Sequence, residues 1–349
     1  MNPGITTSSW GLGSSTGPLA EQFDLALVDL DGVARRGDQP IPYATENLNQ
    51  AQDDGLHLVF VTNNAALTPK QVAAQLNKIG IKASAANIMT AAMACAALLG
   101  TRLSPGDKVL VVGGDGMREA IVESGFSVIP SDTPNAADLD PKAVAMGYAP
   151  TVCWSDLAEA AYAVERGAWF VASNLDLSLP TPRGFAPGNG ALVGAVQAAT
   201  GVVPTSEGKP SPAMYELVVR RTGAQRPLVI GDRLDTDLGG ARAAGFPGLL
   251  ITTGVSTGRD AVLAKPTYRP DFIGADLRAL FEIHLAPEEG PDNWWVSGGR
   301  AARVEGNQLE LDSRGPVGVD TLRAACAAVW SAVDGGVEVA SSSIPEFQL

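Results

Sequence analysis

Histidine and cysteine are almost missing from this chain. Two histidines, His57 and His284, and three cysteines, Cys95, Cys153 and Cys326, are scattered through 349 residues. No two cysteines form a CxxC pair, which argues against a disulfide framework and a structural zinc site and leaves three inert, buried thiols. Positive charge is scarce too, with 25 Lys and Arg against 38 Asp and Glu and a net charge of −13. Such a chain repels polyanions and anionic membranes, so neither nucleic acid nor a lipid surface is an expected partner. The longest apolar run, Ala91 to Leu99, falls well short of the roughly 20 residues that cross a bilayer. Residues 1 to 20, rich in Gly, Ser and Thr, have neither the basic start nor the apolar stretch of a secretion signal, and read as a mobile arm on a cytoplasmic protein. No internal repeat is visible, and Gly113-Gly-Asp-Gly116 lacks the third glycine of a dinucleotide-binding turn. With 45% hydrophobic and 18% charged residues, the chain has the composition of a folded protein of two domains, or of one domain with a large insertion.

What is present alternates. Asp24-Leu-Ala-Leu-Val-Asp-Leu-Asp-Gly32 begins as an apolar run too short for a helix and stops at two carboxylates and a glycine, which predicts a buried parallel strand with polar groups at its carboxyl end. Tyr43 to Asp54 is helix-like and stops at Gly55, and His57 to Thr62 is a second buried strand. Thr68-Pro-Lys-Gln71 has capping-box spacing with proline at the first helical position, and Gly80 closes that helix. After residue 200 the pattern returns, with a helix opened by Ser211 and Pro212, a strand at Leu228 to Asp232, a helix at Asp235 to Ala244 and a strand at Gly248 to Thr253. Alternation of this kind builds an α/β fold, a parallel sheet with helices on both faces. The stretch between has strands and helices of its own, so residues 92–199 read as a second α/β domain inserted into the first. Past Pro287 the texture changes to Trp294-Trp-Val, a hairpin through Gly306-Asn307 and an Ala-rich helix near Thr321 to Val333, which predict a small, separate α+β module. The expected organisation is an arm at 1–21, a core at 22–91 and 200–285, the insertion at 92–199 and an extension at 286–349.

Asp29 and Asp31, two apart at a strand end, can both face the crevice beyond the sheet where ligands of open α/β folds bind. Carboxylates so close repel unless a cation joins them. Asp232 ends another predicted strand in the same way, and a third carboxylate makes an oxygen-rich site suited to Mg²⁺. Thr62 offers a hydroxyl, Asn63 an amide and Lys209 a point positive charge, and together with a metal these suit a phosphate.

At this point the sequence resembles the haloacid dehalogenase superfamily of phosphotransferases. The resemblance rests on Asp29-Leu-Asp-Gly-Val33, Thr62-Asn-Asn64, Gly208-Lys-Pro-Ser-Pro212 and Gly231-Asp-Arg-Leu-Asp-Thr-Asp237, in that order, over roughly residues 22 to 285. It is similar in particular to the NagD-like class IIA branch, whose type II cap is inserted between the second and third motifs; Ser173-Asn-Leu-Asp176 and Pro187-Gly-Asn-Gly190 look like its cap signatures. Ala65 and Leu175 depart from the serine and proline common there.

The resemblance implies a Rossmann-like core and a Mg²⁺-dependent phosphatase working through an aspartyl phosphate. Asp29 is the implied nucleophile and Asp31 the general acid and base; Asp29, Asp31 through its carbonyl, and Asp232 would hold Mg²⁺, with Asp237 in support. Thr62, Asn63, Asn64 and Lys209 are implied to grip the phosphate, and Asn174 and Asp176 to meet the rest of a small phosphorylated metabolite or else to shape a turn. Glycerol 3-phosphate is the expected substrate, ahead of 2-phosphoglycolate, pyridoxal 5′-phosphate and nucleoside monophosphates. Two rivals remain: a phosphotransferase, and a regulatory or GNAT-like binding role for 286–349, where Arg314-Gly-Pro-Val-Gly318 is faintly similar to a pyrophosphate loop. A homodimer stays open as a partner. Arg183 reads equally as a solvated loop residue, the two histidines as structural, and Trp294 and Trp295 as packing.

Overall fold

Leu25, Ala26, Leu27 and Val28 are all buried, and because successive strand residues point to opposite faces, both faces of this strand are covered. It lies in a parallel sheet. A computed structural model of the chain describes residues 4–7, 11–181, 183–312, 317–347 and 349. Their contacts define two compact units, one of Met1–Phe60, Lys78–Lys82 and Val219–Leu349, the other of Val61–Asn77 and Ala83–Val218.

In the first unit five strands follow one another across the sheet in the order Phe272–Gly274, Gly248–Ile251, Pro227–Gly231, Leu25–Val28 and His57–Thr62, each neighbouring pair parallel. Asp29 and Asp232 follow the ends of two adjacent strands, where the Asp29 N–H donates to the Ile230 carbonyl at 2.9 Å. The tail belongs to this unit. Its strands Glu288–Glu289, Trp295–Ser297, Arg300–Glu305 and Gln308–Leu311 form an antiparallel sheet, with the expected hairpin closing at Glu305 and Gln308. The helix Val319–Asp334 buries every residue from Thr321 to Trp330, so no stripe of it faces water for a full turn. It joins Ala302 and Leu309 of the tail sheet to Leu238, Leu250, Val262 and Ile273 in one apolar cluster. The segment expected to be a separate module therefore shares its core with the parallel sheet, because an apolar helix of this kind needs cover on all sides.

Residues expected to be part of a mobile arm are anchored in the same unit. Ile5–Thr7 pairs with Gly13–Ser15, Leu12 and Leu19 are buried, and the N–H groups of Gly13 and Ser15 donate to the carbonyls of Asp271 and His284, each at 2.8 Å. The buried leucines flank the Gly13–Ser15 strand, and the Ser15 hydroxyl also accepts from the His284 N–H at 3.0 Å.

The second unit carries its own parallel sheet, in the order Thr205–Ser206, Trp169–Ala172, Ala143–Met146, Lys108–Val112 and Ser127–Pro130. Val109 and Val111 pack with Cys95, Leu99 and Met117 from the helices Ala91–Leu99 and Asp115–Glu123. Leu110 and Val112 turn the other way, toward Ala160, Val164 and Val193 from the helices Trp154–Glu165 and Asn189–Thr200. The turn-rich stretch before Gly190 holds an antiparallel hairpin, Ser178–Thr181 with Gly184–Pro187. Cys95 and Cys326 are buried as expected, with burial pushing the Cys95 thiol up to about 12, but Cys153 is exposed at a helix start. Among the described residues no helix is long and apolar enough to cross a membrane.

Candidate active site

Three carboxylates converge in the first unit. Ligand oxygens of Asp29, Asp232 and Asp237 all lie within 4.8 Å of one another, with Asp232 and Asp237 buried. At such separations each pair of charges repels by on the order of 3 kcal/mol even at an effective dielectric near 20, so the cluster calls for a cation. Local backbone produces the convergence. After Gly231 the chain makes one wide turn over Leu234–Leu238, with the Leu238 N–H reaching back five residues to the Arg233 carbonyl at 3.1 Å. That turn brings Asp237 back beside the strand end, where its Oδ2 accepts from the Arg233 N–H at 3.1 Å. Asp232 is held by the Val255 N–H, which donates to its Oδ2 at 2.6 Å. A Cβ at Gly32, whose φ is +100°, or at Gly254 would collide with the Asp232 carboxylate, so glycine is needed for this approach. Three hard oxygen donors in a close, glycine-cleared cluster fit Mg²⁺ and would not suit a soft metal.

Asp31 stands apart from this cluster. Its carboxylate is 57% exposed and pairs with the largely buried Arg35 guanidinium at 3.4 Å, while the Gly32 N–H donates to the Arg35 carbonyl at 2.8 Å. Nearby, Arg36 donates to the Thr253 carbonyl and the Thr253 hydroxyl to the Gly32 carbonyl, each at 2.6 Å, which fixes the turn after the strand.

A second polar cluster lies within the other unit. The Asn64 N–H donates to the Thr62 hydroxyl at 3.1 Å, and Asn64 Oδ1 accepts from the N–H groups of Ala66 and Leu67 at 2.8 and 3.3 Å. Asn64 thus spends its side-chain oxygen on a local turn. Asn63 bonds to Lys209 and Asp176, and Asn174 to the Asn63 carbonyl. Thr62, Asn174 and Lys209 are buried. The structure therefore brings Asn63, Asn174, Asp176 and Lys209 together, and separately Asp29, Asp232 and Asp237. Arg183 and His57 are exposed. His284 is buried and structural: its Nε2 lies 2.9 Å from the Ala279 carbonyl and its Nδ1 3.2 Å from Arg323. Trp295 is packed, and Arg303 stacks on Trp294 at 5.0 Å. Arg314 to Pro316 lie outside the described residues.

Comparison with known proteins decides the family. A haloacid dehalogenase-like hydrolase family model matches residues 26–127, and a HAD-hydrolase-like one matches residues 206–280. Over 323 residues the chain is 41% identical to the D-glycerol 3-phosphate phosphatase of Mycobacterium tuberculosis, covering 90% of this chain and 88% of that protein. The chain belongs to the haloacid dehalogenase-like hydrolases. Among solved structures this hydrolase is similar to the glycerol phosphate phosphatase of M. tuberculosis in complex with magnesium, with a TM-score of 0.82, 39% identity and 90% and 92% of the two chains covered. It is also similar to NagD from E. coli K-12, with a TM-score of 0.65, 30% identity and 73% and 97% covered. It is a NagD-like phosphoric monoester hydrolase, and Mg²⁺ is its cofactor. A GCN5-related N-acetyltransferase like domain model matches residues 297–343 of the tail.

Sequence reasoning missed Arg35, and it quoted three glycines only as members of motifs, without the close approach that requires them. A Cβ at Gly188, Gly190 or Gly208 would overlap the backbone oxygens of Asp176, Leu175 and Ser173 respectively. Their places inside the quoted motifs Pro187-Gly-Asn-Gly190 and Gly208-Lys-Pro-Ser-Pro212 were the available signal.

Proposed function

We propose that this phosphatase hydrolyses glycerol 3-phosphate to glycerol and inorganic phosphate, with the convergence of Asp29, Asp232 and Asp237 as the supporting observation. Asp29 attacks phosphorus; its carboxylate oxygen forms the new bond while the bond from phosphorus to the glycerol oxygen breaks, and Asp31 gives that oxygen its proton. Water then attacks the aspartyl phosphate, Asp31 takes the water's proton, and the Asp29 oxygen leaves phosphorus. Thr62, the Asn63–Asn64 loop and Lys209 hold the phosphoryl oxygens. Asp29, Asp232, Asp237 and the Asp31 carbonyl would hold Mg²⁺, which when bound offsets the charge of nucleophile and phosphate. Residues 92–199 act as a cap that admits a small phosphorylated metabolite, and the enzyme works in the cytoplasm. The substrate follows from resemblance to the mycobacterial enzyme.

The test is phosphate release from a panel of monoesters with Mg²⁺ and no second acceptor. Glycerol 3-phosphate is expected to give the highest kcat/KM; preference for 2-phosphoglycolate or a nucleotide would replace the substrate, and turnover only with an added acceptor would make the enzyme a phosphotransferase. Asp29→Asn, which keeps the shape but removes the nucleophile, is expected to lose at least about 10³-fold in kcat.

A further inference from the structure

The loop after the His57–Thr62 strand is joined to two distant stretches of chain. The Asn63 carboxamide meets both sides of Lys209: its Oδ1 accepts from the Lys209 N–H at 2.9 Å and its Nδ2 donates to the Lys209 carbonyl at 3.2 Å. Nδ2 also donates to Asp176 Oδ2 at 3.0 Å. A primary amide has two donor hydrogens, so Asn63 Nδ2 is fully committed, and the Lys209 N–H fixes which end of the amide is oxygen. The loop carrying Asp176 is held in turn. Asn174 Nδ2 donates to the Asn63 carbonyl at 2.8 Å, Asn174 Oδ1 accepts from the Asp176 N–H at 3.2 Å, and the Gly190 N–H donates to the Asp176 carbonyl at 2.9 Å. Lys209 is 5% exposed, and its Nζ donates to the Val61 carbonyl at 3.2 Å.

We propose that Asn63 and Asp176 are positioning residues for Lys209: Asp176 orients the Asn63 amide, and the amide fixes the Lys209 backbone from which the ammonium reaches the phosphate. This rests on Lys209 as the phosphate-holding cation. Lysine is a point charge on a flexible stem, so the anchoring of its backbone governs where that charge ends. With its amide committed inside the protein, Asn63 serves the phosphate through Lys209 and not through its side chain. Asp176 gives one carboxylate oxygen to the same amide, and in this role it acts on the phosphate shared by all substrates.

The experiment measures inorganic phosphate affinity by calorimetry with Mg²⁺, and kcat and KM for glycerol 3-phosphate and 4-nitrophenyl phosphate, with thermal midpoints as a control for folding. Asp176→Ala is expected to weaken phosphate about tenfold, the size of one charge-assisted hydrogen bond, and to lower kcat/KM for both substrates alike. Asp176→Asn, whose Oδ1 accepts the same bond, is expected to restore both. In a Lys209→Met background the further change Asp176→Ala is expected to alter phosphate affinity less than about twofold, because the two act through one group. Asn63→Ala carries the same expectations and replaces Asp176→Ala should that variant not fold. Loss confined to glycerol 3-phosphate, or full loss persisting in the Lys209→Met background, overturns the positioning role alone. Unchanged phosphate affinity in Lys209→Met by itself overturns the phosphate role of Lys209 as well.

Discussion

The second unit and the C-terminal tail of this hydrolase are built on opposite plans. The second unit has apolar clusters on both sides of its own sheet, one around Cys95, Val111 and Met117, the other around Val112, Phe170 and Val193. The tail is built otherwise: its α-helix Val319–Asp334 shares a single cluster with Leu238, Leu250 and Ile273, and its polar groups are spent the same way. Arg323 donates through Nε and Nη2 to the Ile273 carbonyl at 3.1 and 2.6 Å, covering a strand at the edge of the sheet. The Trp330 indole donates to the carbonyls of Ala261 and Val262, each at 3.1 Å. Sequence length does not distinguish an added domain from an added wall; the ownership of the apolar cluster does.

The contrast is broken most severely by deleting residues 286–349. The expected product is insoluble or dye-binding protein without a cooperative melt, since the shared cluster loses one side; a soluble remnant with a sharp transition would show that the tail is dispensable. Next come two matched truncations, Trp330→Ala and Phe170→Ala, each expected to cost about 3–5 kcal/mol. In calorimetry Trp330→Ala should lower the transition shared by sheet and tail, whereas Phe170→Ala should separate an early transition of the second unit. Identical single-step melts for both would erase the distinction. Asp334→Asn removes a forked ion pair to the buried Arg269, with bonds of 2.6 and 2.8 Å. Because Asp334 is about one-third exposed, a loss of only about 1–2 kcal/mol in denaturant titrations is expected.

The smallest effect is one of pH. Burial, and then the Arg323 charge, lower the His284 pKa to about 4, so its contribution to stability is present above the usual 6.5 and is lost as pH falls toward 4. Burial raises Asp271 to about 6, so its contribution is present below the usual 3.8 and is lost as pH rises toward 6. Each displacement is worth about 3 kcal/mol, with opposite sign over nearly the same interval. The two offset each other, and the thermal midpoint should change little on their account between pH 6 and 4. In His284→Gln the Asp271 contribution stands alone, and stability relative to the parent should rise as pH falls; a parallel pair of pH curves would refute the offset.

The carboxylate cluster was legible in part, because short apolar runs stopping at Asp29 and Asp232 place acidic groups at the ends of buried strands. The capping residues Thr68 and Gln71 were legible for a similar reason, as their reciprocal bonds of 2.8 and 3.2 Å are local in sequence. The joining of Asn63 to Lys209 was not, since it links residues 146 positions apart through backbone groups that every residue carries. Nor was the tail's docking, because an Ala-rich apolar helix announces that it will be covered without saying by what. Exposed Cys153 was misjudged on composition alone; its place at the start of the Trp154–Glu165 helix keeps it at the surface.

The shared wall has a consequence for synthesis. Gly258 lies so close to Phe347 that a Cβ there would come within 2.7 Å of the Phe347 Cβ, and both Phe347 and Ile344 are buried in the cluster they share with Leu250. A ribosome delivers the strands of the sheet first and residue 347 long after them. Until then one apolar flank of the nascent enzyme stays bare, while the second unit has both of its clusters already translated. The final stretch of translation is thus the interval in which that flank lacks its cover, and a chain cut short in the tail would carry the clustered carboxylates Asp29, Asp232 and Asp237 on a sheet without its outer wall.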